Sequence, residues 1–293
     1  MFPLRADPGK NKHSLTNKTT KMKFIITVVI MLGALVMAAQ TDKTSKSIKS
    51  HACTNEVVAN TAKSSKVSTS ASAQFKAGTL IEVAFMSVKE GKQKQLTEEY
   101  FAKVMPIAIE YGLKPLMTVA IKNAYSETIK PQMIGFFEWP NAAKKEAFEK
   151  DPRFLKLKPI RTGALSLLKI GFFKVENDMN VKLDGSLFYE IYGMDLKTET
   201  ADQMGKYFER AGPICSKDYG VDFALSMTPV CAEGFDCNSA GGYTAQSFGI
   251  AIWPSENANK KFFGSKEYAE IKHYKEDAIK TMGAWQGAVI VNN

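Results

Sequence analysis

The chain has 293 residues, 45% apolar and 24% charged, ordinary globular values that exclude wholesale disorder and a multi-span membrane protein. Its formal charge of +9 is unevenly spread: residues 1–39 hold six Lys/Arg and one Asp, residues 40–78 six Lys and two acids, and residues 79–293 27 of each sign. The long C-terminal part is therefore neutral, which leaves no basic patch for nucleic acid.

At the N-terminus, the basic stretch Lys21-Met22-Lys23 is followed by an apolar run from Phe24 and then by the small residues Ala38 and Ala39. This is the pattern of a secretory signal peptide over residues 22–39, with residues 1–21 an upstream extension before Met22. The run falls short of the roughly 20 residues that span a bilayer comfortably. A cleaved, periplasmic or secreted protein is expected; an uncleaved membrane anchor is the alternative, and membrane contact is confined to this segment.

Residues 40–78 are rich in Ser, Thr and Lys and poor in large apolar side chains. They cannot bury enough surface to offset the entropy of ordering, so a disordered tether is expected. Export admits disulfides. Cys231 and Cys237 bracket a loop between two strand-like runs and are expected to pair. Cys53 and Cys215 are left over, and spacing does not decide their connectivity.

Residues 79–178 open with the β-branched and aromatic run Thr79–Ser87, a strand. Leu96, Tyr100, Phe101, Val104 and Ala108 then recur at helical spacing, with Pro106 implying a kink or break and Gly112 placed as the stop. Two strands follow, Leu113–Ile121 and Gln132–Trp139. Asn141 caps a second helical region that Asp151-Pro152 interrupts and Phe154–Leu168 resumes, and Lys169–Val175 forms a fourth strand.

Residues 184–293 repeat the order: strand Leu187–Asp195, a helix carrying Met204, Tyr207, Phe208 and Ala211, strand Val221–Pro229, strand Tyr243–Trp253, helical Ser255–Met282 and strand Ala284–Val291. The passage Ile134–Asn141, ending in Trp139-Pro140, matches Phe248–Ser255, ending in Trp253-Pro254. Offsets between the copies are 108 at Glu82/Glu190, 107 at Pro106/Pro213 and 114 at the Trp-Pro pair, so about six extra residues fall in the second copy's central hairpin, where the cysteines are. The order β-α-β-β-α-β is the ferredoxin-like plan. The fold class is α+β, two tandem ferredoxin-like repeats.

The strand-Trp-Pro-helix passage, followed by Phe154-Leu-Lys-Leu-Lys-Pro-Ile-Arg161, resembles the domain of unknown function 1330 group of the dimeric α/β-barrel superfamily. Val88–Lys92 before an amphipathic helix is similar to NIPSNAP-like members. The second copy departs from the pattern, with His273 and Lys275 in place of the proline and arginine. The resemblance implies that two ferredoxin-like units pack sheet to sheet as a barrel, here an intrachain pseudo-dimer, and that cofactor-independent oxygenase or isomerase chemistry occurs on the fold.

Glu82 and Glu190 occupy matching places on the first strand of each copy. If their strand face lines the barrel, two carboxylates approach in an apolar setting where desolvation and repulsion raise a pKa and create a general acid or base. The alternative is carboxylates at strand ends, solvated or paired with lysine. Tyr192 shares the face of Glu190 and is a pocket candidate. Trp139 and Trp253 either wall an aromatic-ligand pocket or are core. Arg161, if inward, clamps a carboxylate or phosphate; beside Lys156 and Lys158 it also suits a solvated face. His273 is the one histidine within the repeats. A lone imidazole can hold haem, but with no His/Cys cluster beside it His273 reads as a surface residue, and no cofactor or metal is expected.

Walker A, dinucleotide GxGxxG, GxSxG and HExxH motifs are missing. The expectation is a small-molecule-binding or structural module, with a small apolar or aromatic ligand, no nucleic-acid partner, and a monomer or further homo-oligomer. The alternative is a cofactor-independent oxygenase or isomerase with Glu82 or Glu190 as base.

Overall fold

The computed structural model describes residues 71–230 and 241–291. The N-terminal leader and both cysteines of the expected disulfide lie outside the described residues. Strand β1 (Ala71–Phe75) precedes the first copy, which comprises β2 (Leu80–Val88), a π-helical turn Gln95–Phe101 running into α1 (Ala102–Glu110), β3 (Lys114–Tyr125), β4 (Met133–Trp139), α2 (Ala142–Glu149), α3 (Pro152–Ala164) and β5 (Leu165–Lys174). Strand β6 (Met179–Leu183) then precedes the second: β7 (Phe188–Leu196), α4 (Asp202–Asp218), β8 (Asp222–Pro229), β9 (Ser247–Trp253), α5 (Glu256–Phe263), α6 (Lys266–Ala278) and β10 (Ile279–Val289).

Eight strands close one antiparallel barrel in the order β10-β3-β4-β2-β5-β8-β9-β7. Within it each copy keeps the ferredoxin-like order, fourth-first-third-second. The second strand of each copy closes against the fourth of the other. Barrels of eight strands leave an interior that side chains can fill. Here Phe85, Phe136, Phe173, Tyr189, Phe248 and Trp285 fill it. Residue 82 is even-numbered among odd-numbered interior residues Ile81, Val83 and Phe85, so it faces outward, where the helices cover the sheet. Because both strand faces are covered, β2 is buried along its whole length.

The Trp-Pro corners are locked from the helix side. Asn141 Oδ1 accepts from Lys144 N at 2.9 Å and Ser255 Oγ from Ala258 N at 3.1 Å, capping α2 and α5. Gly112 and Gly220, at φ +92° and +66°, end the preceding helices; a Cβ on Gly112 would lie 2.6 Å from Pro140 Cγ and one on Gly220 3.0 Å from Pro254 Cγ. Each proline thus packs on a glycine that both the left-handed backbone and the close approach require.

Several boundaries differ from expectation. Residues 71–75, assigned to the tether, pair antiparallel with β6, a strand outside both expected repeats, and Phe75 and Val181 join the barrel core. The helices run through Pro106 and Pro213 rather than breaking. In the first copy the π-helical turn ends next to Ala102, whose carbonyl a proline four residues on would strike. Helices α3 and α6 end at Ala164 and Ala278, earlier than the apolar pattern suggests, because the sheet takes the chain: β5 already pairs with β2 at Leu165 and β10 with β7 at Ile279. Tyr243, expected in a strand, leaves the ladder and packs on Phe85, Phe248 and Trp285 in the barrel.

The closing seams are unequal. β10 and β3 pair from Val119 to Tyr125, with a register shift at Gln286/Gly287 that leaves Lys122 unpaired in the ladder and free to bind Glu256 on α5. β5 and β8 pair only at Phe173↔Pro229 and Lys174↔Thr228, and residues 241–243 continue the edge through Ile170 N→Gly241 O and Tyr243 N→Ile170 O, at 3.0 and 2.9 Å. The hairpin carrying the extra residues therefore finishes the shorter seam. At the longer seam a Cβ on Gly287 would sit 1.8 Å from the Ala120 carbonyl oxygen, a backbone atom that cannot swing away. Gly287→Ala is expected to cost about 1–3 kcal/mol, the range for overpacking. Urea unfolding checks this, and an unchanged midpoint would show that the seam yields freely.

Candidate functional site

Glu82 and Glu190 face outward, so the condition under which they would meet inside the barrel is not fulfilled, and Glu82 takes the alternative of pairing with a lysine. Their strand face looks onto the helices, so the two carboxylates sit in separate pockets between sheet and helix layer, one per copy. The first has about 560 Å³ of atom-free space including its mouth, the second about 530 Å³. Trp139 and Arg161 line the first, and Tyr192 and Trp253 the second. His273 is exposed, stacks on Tyr274 with ring centroids 4.0 Å apart, and lines neither pocket.

One hydrogen bond recurs. Trp139 Nε1 donates to Glu82 Oε2 at 2.8 Å, and Trp253 Nε1 donates to Glu190 Oε2 at 2.9 Å. The pairing follows from register, because β2 runs beside β4 and β7 beside β9 with the tryptophan one outward position from the carboxylate's neighbour. Both tryptophans are fully buried and both belong to pocket linings, so core and wall are one role here.

Around that shared bond the copies diverge. In the first, Lys145 on α2, only 2% exposed, places Nζ 2.8 Å from Glu82 Oε2 and 3.3 Å from Glu149 Oε1. The same ammonium lies 5.0, 5.6 and 5.8 Å from the ring centroids of Trp139, Phe148 and Phe172. Burial alone would lower its pKa, but the carboxylates of Glu82 and Glu149 more than offset this and hold it above the ordinary value. Arg161 lies over Tyr100 and Phe154, at 5.9 and 5.7 Å, and its Nε is buried with no hydrogen-bond partner among the described residues.

In the second copy the 114-residue offset puts Asn259 at the place of Lys145, Phe263 at Glu149, Gln286 at Phe172 and Lys275 at Arg161. Register confirms the last strand position: Phe172 pairs with Glu82, and Gln286 with Glu190. Asn259 Nδ2 donates to Glu190 Oε2 at 3.1 Å, Gln286 Nε2 to Glu190 Oε1 at 3.2 Å and to Asn259 Oδ1 at 3.3 Å. Glu190 thus has neutral donors only. Burial raises its pKa, and the bonds from Gln286 and Trp253, the field of Lys275 and the bond from Asn259 oppose this without cancelling it. Lys275 forms no ion pair with it; its ammonium lies 5.6, 5.3 and 5.2 Å from the rings of Tyr207, Phe263 and Tyr268.

The remaining wall is apolar and aromatic: Tyr192, Tyr207, Phe208, Phe262 and Met204 among others. Burial pushes the Tyr192 phenol up to about 12, helped by Glu190, and raises Tyr207 further. Neither hydroxyl has a hydrogen-bond partner among the described residues. Cys215, also in the wall, is a free thiol that burial pushes up to about 12. Chemically, this pocket offers a carboxyl group able to exchange a proton, one ammonium and two unused hydroxyls. The first pocket offers a carboxylate already paired with Lys145, and the Arg161 guanidinium.

Lys145, Asn259 and Gln286 were not singled out from sequence. Carrying the Trp-Pro offset through the following helix and strand would have exposed Lys145/Asn259 and Phe172/Gln286 as positions where polarity changes between copies.

No family model and no curated protein matches the chain. Among solved structures, it is similar to an anthrone oxidase-like protein at 12% identity, covering 74% of this chain and 94% of that one with a TM-score of 0.45. A haem-binding protein from Thermus thermophilus is 9% identical over 75% of this chain and 94% of its own, TM-score 0.43. An uncharacterised NIPSNAP domain protein from Burkholderia xenovorans is 16% identical over 32% of this chain and 90% of its own, TM-score 0.24. The fold described above rests on strand order and register.

Removing one partner of a buried ion pair typically costs about 3–5 kcal/mol, because the other charge stays behind. Lys145→Met is expected to lose about that much by chemical denaturation. Glu190→Gln is expected to do the opposite. A carboxyl whose folded pKa lies above its ordinary 4.5 makes stability fall as pH rises from that value through the folded pKa. Glu190→Gln should remove this fall and be more stable than wild type at alkaline pH; a wild-type-like pH profile in the variant would mean Glu190 carries no burial penalty.

Proposed function

We propose that the chain is an exported small-molecule-binding protein, an internally duplicated pseudo-dimeric barrel of the dimeric α/β-barrel type, in which the pocket of the second copy receives the ligand. The observation that carries this is the buried Glu190 carboxylate, which has no ion-pair partner among the described residues and feels Lys275 only through its field, in an aromatic-walled cavity where the equivalent Glu82 is paired with Lys145. An uncompensated buried carboxyl group costs stability, and a cost kept at one of two equivalent places fits a site and not a scaffold. In the first pocket the carboxylate is already paired with Lys145, and that pair holds the fold. The duplication is supported by the same fourth-first-third-second strand order in both copies. Export rests on the leader read in residues 22–39, and the likeness to the domain of unknown function 1330 group on the passage ending at Arg161.

Proton transfer is the second reading, favoured by the raised pKa of Glu190 and the unpartnered hydroxyl of Tyr192 beside it. Glu190 as base would abstract a proton from a bound substrate, and Tyr192 or Lys275 would steady the resulting anion. This supports the cofactor-independent oxygenase or isomerase class, without choosing between its members. Among the described residues neither lining holds a histidine, His273 is exposed and burial raises the Cys215 thiol pKa, so no imidazole or thiolate stands ready to hold haem.

Native mass spectrometry of protein purified from its export compartment, followed by a thermal-shift screen of small aromatic compounds, tests the proposal. A retained or added ligand is expected to raise the melting temperature of wild type and of Glu82→Gln if folded, and to lose at least about tenfold in affinity, 1.4 kcal/mol, on Glu190→Gln. Ligand binding that is unaffected by Glu190→Gln would place the site elsewhere, and a flat screen with nothing retained would sink the reading.

A further inference from the structure

The first copy contains, in its own side chain, a picture of what the second copy's pocket accepts. Lys145 brings a primary ammonium to the Glu82 carboxylate at 2.8 Å while Trp139, Phe148 and Phe172 present their faces at 5.0–5.8 Å. That is a complete ammonium site, with charge, hydrogen bond and aromatic faces together. In the second copy the carboxylate, Trp253 and Phe262 persist at the equivalent places, while the lysine has become Asn259. We propose that this pocket binds a ligand bearing a primary ammonium group on an apolar, preferably aromatic, body, the ammonium bonding Glu190 Oε1 beside Gln286, while Asn259 Nδ2 holds the position on Oε2 that Lys145 fills in the first copy. The inference rests on the second-copy pocket being the binding site and names the class of ligand.

Three features support it. The donors to Glu190 stand 2.9–3.2 Å away, from Trp253, Asn259 and Gln286. They use three of the roughly four acceptor positions of a carboxylate and leave one for a charge-assisted bond. The wall is otherwise apolar, so a bare ammonium gains little, whereas one carrying an aromatic body gains burial as well. The replacement of Glu149 by Phe263 removes the second carboxylate that Lys145 needs, as suits a cation that comes and goes with its ligand.

An aliphatic amine arrives protonated at neutral pH, its pKa being roughly 10. Where Glu190 is protonated its proton must leave for solvent as the ammonium docks, so binding tightens as pH rises through the raised pKa of the carboxyl group. The other groups facing Glu190 are Lys275 on α6, Tyr207 and Cys215 on α4 and Tyr192 on its own strand. The tyrosines and the cysteine are held neutral across that range by burial, and Lys275 is on other ring faces, so Glu190 governs the dependence.

Calorimetric titration of the full chain with phenethylamine and its neutral isostere 2-phenylethanol tests this. Wild type is expected to bind the amine at least about tenfold tighter than the alcohol, and Glu190→Gln to erase that ratio. Asn259→Lys, which restores the internal ammonium, is expected to raise the melting temperature and abolish amine binding. Alcohol binding as tight as amine binding would overturn the inference and leave the pocket assignment standing; no binding of either would overturn both. Amine binding of wild-type strength in a folded Asn259→Lys would also overturn it, and if that variant fails to fold the Glu190→Gln ratio decides alone.

Discussion

The indole-to-carboxylate hydrogen bond is the constraint on which each half of this molecule is organised. It joins the first strand of a copy to the third at the point where the third turns into a helix, and so fixes sheet, corner and helix layer together. A carboxylate is held there at the cost of desolvation, and a tryptophan nitrogen cannot neutralise it. Something else must supply either a cation or a proton. The first copy supplies the cation, Lys145. The second supplies neutral donors at bonding distance and, in Lys275, a cation that acts only through its field, and leaves the carboxyl group to bind solvent protons more tightly.

The glycine-proline contact on the other side of each corner explains why the dipeptide is Trp-Pro. The tryptophan must reach the strand carboxylate, and the proline must meet the end of the preceding helix, where Gly112 or Gly220 has no side chain to obstruct it. Those two demands concern adjacent residues facing different layers. The barrel interior shows a similar division of space between copies. Trp285 stands where the first copy has Gly171, and Gly287 where it has Phe173, so bulky and small residues alternate in opposite phase on the two equivalent strands. Gly171 leaves the room that Tyr243 occupies, and Trp285 donates instead to the Ile129 carbonyl at 2.8 Å. Filling an eight-stranded barrel in this way leaves ligands only the space outside it, beneath the helices.

Much of the architecture was legible because it is periodic. Strand alternation, the amphipathic stripe from Leu96 to Ala108, the cap at Asn141 and the stop at Gly112 are local signals. The strand β1 was not legible, since Ala71–Phe75 carries a single large apolar residue and its order comes from pairing with β6, more than 100 residues away. The ends of α3 and α6 failed for a related reason: Leu165–Leu168 suits a helix as well as a strand, and only the neighbouring β2 decides. Glu82, Glu190, Tyr192, Trp139 and Trp253 were visible as candidates through the repeat. Which face of the strand looks inward was not, because both faces of β2 and β7 are apolar and alternation gives no sign.

The site itself was hidden for a different reason. A sequence comparison of the copies draws attention to what they share, and Trp139/Trp253 and Glu82/Glu190 are shared because the fold needs the bond between them. Chemistry that distinguishes one pocket has to appear where the copies disagree, at Lys145/Asn259, Glu149/Phe263 and Phe172/Gln286. Those three changes are not independent. Removing Lys145 alone would strand two carboxylates, Glu82 and Glu149; the second copy has lost the second carboxylate as well and gained an amide that donates to the first. The set leaves one acid in an apolar wall with Trp253, Asn259 and Gln286 all bonded to it, a state that an ordinary drift of surface charges would not assemble.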